Sequence, residues 1–185
     1  MASALTPSTN LGSANERAIR AYLKTQFADE AATIAWLISN DWQERTAPLI
    51  EVISAGGPED PPHSRSETHR VTIRYKWPGG QEPGATEGQH FADINRISGL
   101  IMAAMSNSGD GGKSYKVTAD AITAAGRLLA TTGTALEKAQ NADMLNYTCR
   151  YVQYLESVRA TTDGINFFLT ESRVFEVRSV PANVD

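Results

Sequence analysis

The alternation of apolar and polar residues along the chain is clearest between Thr68 and Trp77. One series of alternate positions is largely apolar and the other is polar: His69, Val71, Ile73, Tyr75 and Trp77 against Arg70, Thr72, Arg74 and Lys76. A period of two places the series on opposite faces of a strand, so one face can be buried. A shorter apolar run from Pro48 to Ser54 precedes it. Together the two runs predict a β-hairpin.

The segment from Ala55 to Glu67, which joins the two arms of the hairpin, is polar and interrupted by Gly and Pro. Such a composition is typical of a surface loop, and a loop of this length often serves to contact another molecule. We therefore predict that it projects from the sheet and carries interface residues, namely Glu59, Asp60, His63 and Arg65.

Two helices are predicted by a start signal followed by an apolar stripe. Ser13 with Glu16, and Thr86 with Gln89, have the spacing of a capping box. The first stripe contains Ile19, Tyr22, Leu23 and Phe27, and the second contains Phe91, Ile94, Ile97, Leu100, Ile101 and Met105. Both stripes have helical spacing, which predicts helices that lie on the sheet.

Other segments are less regular. The run from Ala31 to Trp42 fits either a helix or a short strand, and its alanines and the preceding Asp29-Glu30 favour a helix. The rest predicts two short helices followed by two strands: Asp120 to Ala130, Ala135 to Leu145, Tyr147 to Arg159 and Ile165 to Val180. In the last strand Glu171 and Arg173 interrupt an otherwise apolar face.

This order of elements predicts an α+β fold, with helices packed on one face of a mainly antiparallel sheet. Residues 1–12 are small and polar and predict a flexible arm, and residues 13–185 predict a single domain.

Composition narrows the functional classes. Apolar residues make up 41% of the chain, and the net charge of -4 argues against a dedicated nucleic-acid binder. Cys149 is the only cysteine, which excludes an intrachain disulfide and favours a reducing compartment. The chain shows neither a signal peptide nor an apolar run of membrane-spanning length. We expect a soluble protein made in the cytoplasm, with no membrane partner.

Candidate catalytic patterns are weak. The segment from Ser108 to Ser114 ends in Gly-Lys-Ser, but Asn107 occupies the position where a phosphate-binding loop needs its first glycine. The histidines His63, His69 and His90 lack the spacing of a zinc site, and Cys149 is predicted to be a buried structural residue. We therefore predict no enzymatic activity, no metal and no cofactor.

Two further groups are interpreted as structural. Arg70, Arg74 and Lys76 share one strand face, which favours a solvated or subunit-facing surface over a nucleic-acid stripe. Tyr147, Tyr151 and Tyr154 are interpreted as packing residues and not as a base-stacking platform.

The order of the predicted elements resembles that of the tail terminator, or tail-completion, proteins of long-tailed bacteriophages. The elements that carry the resemblance are a helix from Ser13, the strand Pro48–Ser54, a projecting loop, the alternating strand, the helix Thr86–Met105 and a terminal strand near Arg173–Val180. The resemblance is one of element order, carries no signature motif and covers about two thirds of the chain. Residues 107–164 are longer than the corresponding join in that family and are interpreted as a possible insertion.

The resemblance implies a virion protein of the head–tail junction, or neck, that forms a hexameric ring on the tail tube. Such a ring ends tube polymerisation and offers a docking surface to the head–tail connector protein. Its partners are further copies of itself, the tail tube protein and the connector, while DNA passes through the lumen without being read. The family has no catalytic residues to transfer.

Two alternatives remain open from the sequence. The chain could be another virion structural protein, a head-completion connector or a tail tube subunit. It could also be a ligand-binding α+β domain with a pocket beneath Phe91, Tyr75 and Trp77, although no convergent polar groups mark such a pocket.

Overall fold

A computed structural model of the chain describes residues 10–28, 34–38, 48–56, 66–78, 87–106, 115–163 and 168–181. The helices are α1 (Leu11–Gln26), α2 (Glu87–Ser106), α3 (Tyr115–Leu129), α4 (Ala135–Gln140) and a 3-10 helix (Ala142–Asn146). The strands are β1 (Ala35–Ile38), β2 (Leu49–Ala55), β3 (Glu67–Pro78), β4 (Tyr147–Asp163) and β5 (Phe168–Pro181).

The five strands form one sheet in the order β1-β2-β3-β5-β4. Only β1 runs parallel to its neighbour, and the other three pairings are antiparallel. The helices α1, α2 and α3 share one hydrophobic core with the sheet. The predicted fold class, α+β with helices packed on a mainly antiparallel sheet, is confirmed.

The predicted hairpin is formed by β2 and β3. The alternation of apolar and polar residues in β3 determines which face of the sheet is buried in the core. Val71, Ile73 and Tyr75 are fully buried beneath the helices. Residues in register across neighbouring strands point to the same face, and Phe175 of β5, which is also fully buried, lies opposite Val71. The polar alternate positions of β3 therefore lie on the outer face of the sheet.

The start of α1 differs from the predicted capping box. The helix begins at Leu11, and Asn10 Oδ1 accepts a hydrogen bond from the Ser13 amide at 3.0 Å. Glu16 is buried, and its carboxylate accepts the amide hydrogen of Ser54 in β2 at 2.7 Å. The capping-box prediction is wrong because tertiary contact with the sheet recruits the glutamate. Leu11 is buried in α1, so the flexible arm predicted for residues 1–12 includes residues that belong to this helix. Residues 1–9 lie outside the described part of the chain.

The helix predicted for the run from Ala31 to Trp42 is wrong at β1, Ala35–Ile38. Trp36 and Leu37 are both buried although they are consecutive, which an extended strand permits because its side chains alternate between faces. Trp36 packs edge-on against Phe27, with ring centroids 5.6 Å apart. Pairing with β2 overrides the local helix preference, and the rest of the run is outside the described ranges apart from Ile34.

The C-terminal half is built into the same core. The first predicted short helix is longer than expected, since α3 begins at Tyr115, and the second breaks into α4 and the 3-10 helix. The two predicted final strands are confirmed as β4 and β5. Ile122 and Tyr147 are fully buried, so the segment interpreted as a possible insertion contributes to the core through α3 and the start of β4.

Candidate functional site

A buried polar cluster lies between α2 and the sheet. Glu171 of β5 is opposite Tyr75 of β3 in the sheet register, and its carboxylate is 2.8 Å from the Arg173 guanidinium. The Ser98 hydroxyl on α2 donates to Glu171 and accepts from Arg173 Nε, which lies 3.2 Å away. Arg173 also reaches the Tyr154 hydroxyl at 3.5 Å. The interruption of the apolar face noted in the sequence is therefore an ion pair that fastens α2 to the sheet.

This cluster is largely buried. Burial raises the pKa of Tyr75, and the neighbouring charge of Glu171 adds to the rise. The side chain of Glu171 is only 4% exposed and that of Arg173 only 19% exposed. Through the Ser98 hydroxyl the cluster holds α2 against β5.

A cleft of about 350 Å³ opens between α1, α2 and α3. Its lining residues are mainly small or apolar: Tyr22, Gln26, Leu100, Ala103, Ala104, Thr118 and Ala121. The Tyr22 hydroxyl donates to the Ala104 carbonyl at 2.8 Å, and burial raises the pKa of this tyrosine. Leu100, predicted to belong to the buried face of its helix, is 38% exposed here. The cleft thus presents an apolar surface to solvent.

The outer face of the sheet is charged, and two of its arginines form ion pairs. Arg70 of β3 reaches across β5 to Glu156 of β4, and Arg74 lies 3.3 Å from the buried carboxylate of Glu51. Arg70 and Arg74 thus lie at the surface of the protein, with side chains 58% and 42% exposed. Neutralised arginines offer fewer phosphate contacts than a free basic stripe would.

Strand β4 forms one edge of the sheet and is 17 residues long. The register shifts at three points, and one of them leaves Leu155 as the extra residue of a bulge. Leu155 is 39% exposed and Val158 is 50% exposed. An open edge with exposed apolar side chains can accept a strand from another protein, and the regular stretch 156–160 is free of bulges.

A second exposed apolar feature is the α4 segment. Every residue from 131 to 140 is exposed, and Leu136 is 68% exposed. A capping box holds the segment in shape, with Glu137 accepting the Thr134 amide at 2.7 Å. These hydrogen bonds lower the pKa of Glu137. Sequence reasoning did not single out Leu136, Leu155 or Val158, because a lone apolar residue inside a predicted helix or strand reads as core.

The residues predicted for the interface are not placed by the structure. Glu59, Asp60, His63 and Arg65 all lie outside the described residues. His69, expected near the strand start, is buried and lies 2.9 Å from Glu67 through Nε2. Of the three residues proposed to form a ligand pocket, Tyr75 is fully buried in the core.

The remaining sequence-based interpretations concern metal and thiol chemistry. The described ranges contain no group of three or more His, Cys, Asp or Glu side chains that could hold a metal ion. Cys149 is buried as predicted, and burial raises its pKa to about 12. Tyr147 and Tyr154 are packing residues, as predicted: Tyr147 is fully buried and Tyr154 packs edge-on against Phe175.

Comparison with known proteins finds no protein-family model that matches this chain and no match among curated proteins. Among the helices of the described residues, none combines the length and apolar character needed to cross a membrane.

Proposed function

We propose that this chain is a structural virion protein of the head–tail junction of a long-tailed bacteriophage. In this proposal a ring of its subunits, six in number, caps the tail tube, ends tube polymerisation and provides the docking surface for the head–tail connector protein. The protein is made in the host cytoplasm and then resides in the virion. The observation that carries the proposal is the long open edge of β4 with its exposed Leu155 and Val158.

The physical argument begins with the two edges of the sheet. At one end lies β1, which is four residues long, and at the other lies β4, which is four times longer and interrupted by bulges. A contact that joins one surface of a subunit to a different surface of its neighbour is heterologous, and heterologous contacts form a ring where the rotation between subunits closes and a filament where it does not. Edge strands also let a different protein extend the sheet by main-chain hydrogen bonds.

Charge is compatible with DNA passing through such a ring. The net charge is -4, and Arg70 and Arg74 on the outer face are paired with Glu156 and Glu51. Binding to DNA draws on the release of counterions when Lys and Arg neutralise phosphates, so arginines already paired with carboxylates contribute little to it. The order of elements around the β2–β3 hairpin, with α1 before it and α2 after it, agrees with the order that the resemblance rests on.

The test is negative-stain electron microscopy of the purified protein, alone and mixed with isolated tail tubes. We expect six-fold rings in solution or caps at one end of the tubes. Long filaments of the protein alone would instead identify a tube subunit. A monomer that ignores the tubes would contradict the proposed function.

A matched pair of variants tests the β4 edge. Val158→Lys places a charge on the open edge, and we expect it to prevent capping of the tubes. Leu128→Lys changes a residue of similar exposure, 55% against 50%, on α3, and we expect it to cap tubes as the natural protein does. Equal capping by both variants would remove β4 from the assembly surface.

A further inference from the structure

We propose that the first two turns of α1, residues 11–16, form a releasable strap, which detaches from the sheet while the rest of the protein stays folded. This inference goes beyond the proposed function and does not depend on it. It rests on a contrast between the two halves of α1. The strap covers a polar seam that contains buried atoms without hydrogen bonds, whereas the rest of the helix covers an apolar core.

The polar seam is formed by side chains of α1, β2 and β3. Three atoms in it are closed off from solvent and make no hydrogen bond within the described structure: Asn15 Nδ2, Ser54 Oγ and His69 Nδ1. Ser54 lies in register with the fully buried Val71, so its side chain points to the core face of the sheet. A polar atom that gives up hydration and gains no partner destabilises the arrangement that buries it. Each of the three atoms therefore weakens the closed position of the strap.

Contacts place the seam directly beneath the strap. A Cβ atom added to Gly12 would lie 3.4 Å from His69 Cε1 and 3.6 Å from His69 Nδ1, so the imidazole ring faces the strap. The Glu16 carboxylate accepts the Ser54 amide hydrogen at 2.7 Å, which holds the strap over β2. Asn15 belongs to the strap itself. Detachment of the strap would therefore return the three atoms to water, and their hydration favours the open position.

The apolar contacts of α1 are concentrated beyond the strap. Within the strap, Leu11 is the one large apolar residue that enters the core. The rest of the helix and its C-cap bury a continuous apolar stripe: Ile19, Tyr22, Leu23 and Phe27. Because burial of apolar surface is the main force that holds a helix on a sheet, the two halves of α1 are attached with unequal strength.

Arg17 sets the boundary of the strap. Its guanidinium lies 3.0 Å from Asp143 Oδ1, 2.5 Å from Asp143 Oδ2 and 3.1 Å from Asn141 Oδ1. These contacts tie α1 to the segment that follows α4, so an opening that begins at Leu11 ends before Arg17. A helix of two turns is not stable by itself in water. Detachment therefore unravels the strap and exposes its amides.

The experiment is hydrogen exchange of the full-length chain, read at single residues by mass spectrometry with electron-transfer fragmentation. The amides of Ala14, Asn15 and Glu16 report the unravelling of the strap. The Ser54 amide, whose acceptor is the Glu16 carboxylate, reports its detachment from β2. We expect these four amides to exchange together, at least about a hundredfold faster than those of residues 22–26.

A matched pair of variants tests whether the seam drives the opening. Ser54→Ala removes an unpartnered hydroxyl and keeps the amide that bonds Glu16. The closed strap then buries one polar atom fewer, so exchange of the strap amides should slow by about tenfold. Ser157→Ala is the control, because it removes an exposed hydroxyl from β4, and it should leave the exchange of the strap unchanged.

Three results would overturn the inference. Strap amides that exchange as slowly as residues 22–26 would show that the strap does not open separately. A Ser54 amide that stays protected while the strap amides exchange would show that the helix end frays without leaving β2. Unchanged exchange of the strap in Ser54→Ala would show that the polar seam does not drive its release.

Discussion

The Tyr147 hydroxyl donates a hydrogen bond of 2.9 Å to Asn15 Oδ1, which joins the first residue of β4 to the buried face of α1. Both residues are fully buried, and the Asn15 amide nitrogen makes no hydrogen bond in the described structure. The bond therefore links two elements that are 132 positions apart in the chain. It offers a direct test of how the C-terminal half is attached to the N-terminal helix.

Replacing this tyrosine in Tyr147→Phe should lower the free energy of unfolding by about 1–3 kcal/mol, because Asn15 Oδ1 is then buried without a partner. The measurement is urea denaturation followed by circular dichroism. Tyr151→Phe is the control, since that hydroxyl bonds the exposed side chain of Gln153, and the change should stay within about 0.5 kcal/mol. Equal effects in both variants would refute the buried link.

Two helical glycines should respond in opposite ways to alanine. At Gly126 a Cβ atom would lie 2.9 Å from the Ala18 Cβ and 3.0 Å from the Met144 Cε, so Gly126→Ala overfills the contact between α1 and α3. We expect a loss of about 1–3 kcal/mol from overpacking, larger than the gain in helix propensity.

Gly99 is the matched control on α2, because nothing lies within 4 Å of its Cβ position. Gly99→Ala should raise the free energy of unfolding by about 0.5–1 kcal/mol. Both values come from the shift in the urea midpoint at constant slope. Stabilisation by both substitutions would show that α1 and α3 are farther apart than the structure has them.

Replacing either partner of the ion pair between Glu171 and Arg173 should lower the free energy of unfolding, but by different amounts. Arg173→Met leaves the buried Glu171 carboxylate without its cation, which costs about 3–5 kcal/mol. Glu171→Gln leaves an arginine that is 19% exposed and can turn toward water, so the cost is smaller, about 1–3 kcal/mol. As a control, Arg70→Met breaks a pair that is more than half exposed on both sides and should cost at most about 1 kcal/mol. Losses of at most about 1 kcal/mol in both Arg173→Met and Glu171→Gln would place the pair at the surface.

The thiol of Cys149 should be protected from modification. Burial raises its pKa to about 12, so at pH 8 only about one thiol in ten thousand carries the reactive charge. We expect very slow reaction with a disulfide reagent, rising about tenfold per pH unit up to pH 11. In denaturant the reaction should be fast and stop at one thiol per chain, since the sequence contains one cysteine. Fast labelling of the folded protein would show that β4 is not covered by α3.

The same burial predicts a loss of stability at alkaline pH. Cys149 and Tyr147 have raised pKa values, so the folded protein keeps protons that the unfolded chain releases. Their contribution is complete below the unfolded pKa values, about 8.5 for Cys and 10 for Tyr, and is lost as the pH rises above them. Each group should then lower the free energy of unfolding by about 1.4 kcal/mol per pH unit. Tyr147→Phe should flatten the decline above pH 10, and an unchanged slope would contradict this origin.

The sequence was most informative where one element shows its own period. The alternation in β3 and the apolar stripe of α1 predicted the hairpin and the first helix, since each buried face repeats within a few residues. The run containing β1 failed because four residues are too few to establish a period, and the pairing with β2 decides its conformation. Glu16 was read as a local cap for the same reason: its true partner, the Ser54 amide, is 38 positions away.

The same distinction between local and long-range information applies to the fold class and to the candidate surfaces. The sequence alone was enough to predict the α+β class, the hairpin at the centre of the sheet and the buried cysteine. It was enough because hydrophobic periodicity and burial preference are local properties of the chain. Only the tertiary structure decided that Ser98 meets Glu171 and Arg173, that β4 forms an edge of the sheet, and that Leu136 lies outside the core. Each of these depends on which elements become neighbours, and that choice is made by packing across the whole chain.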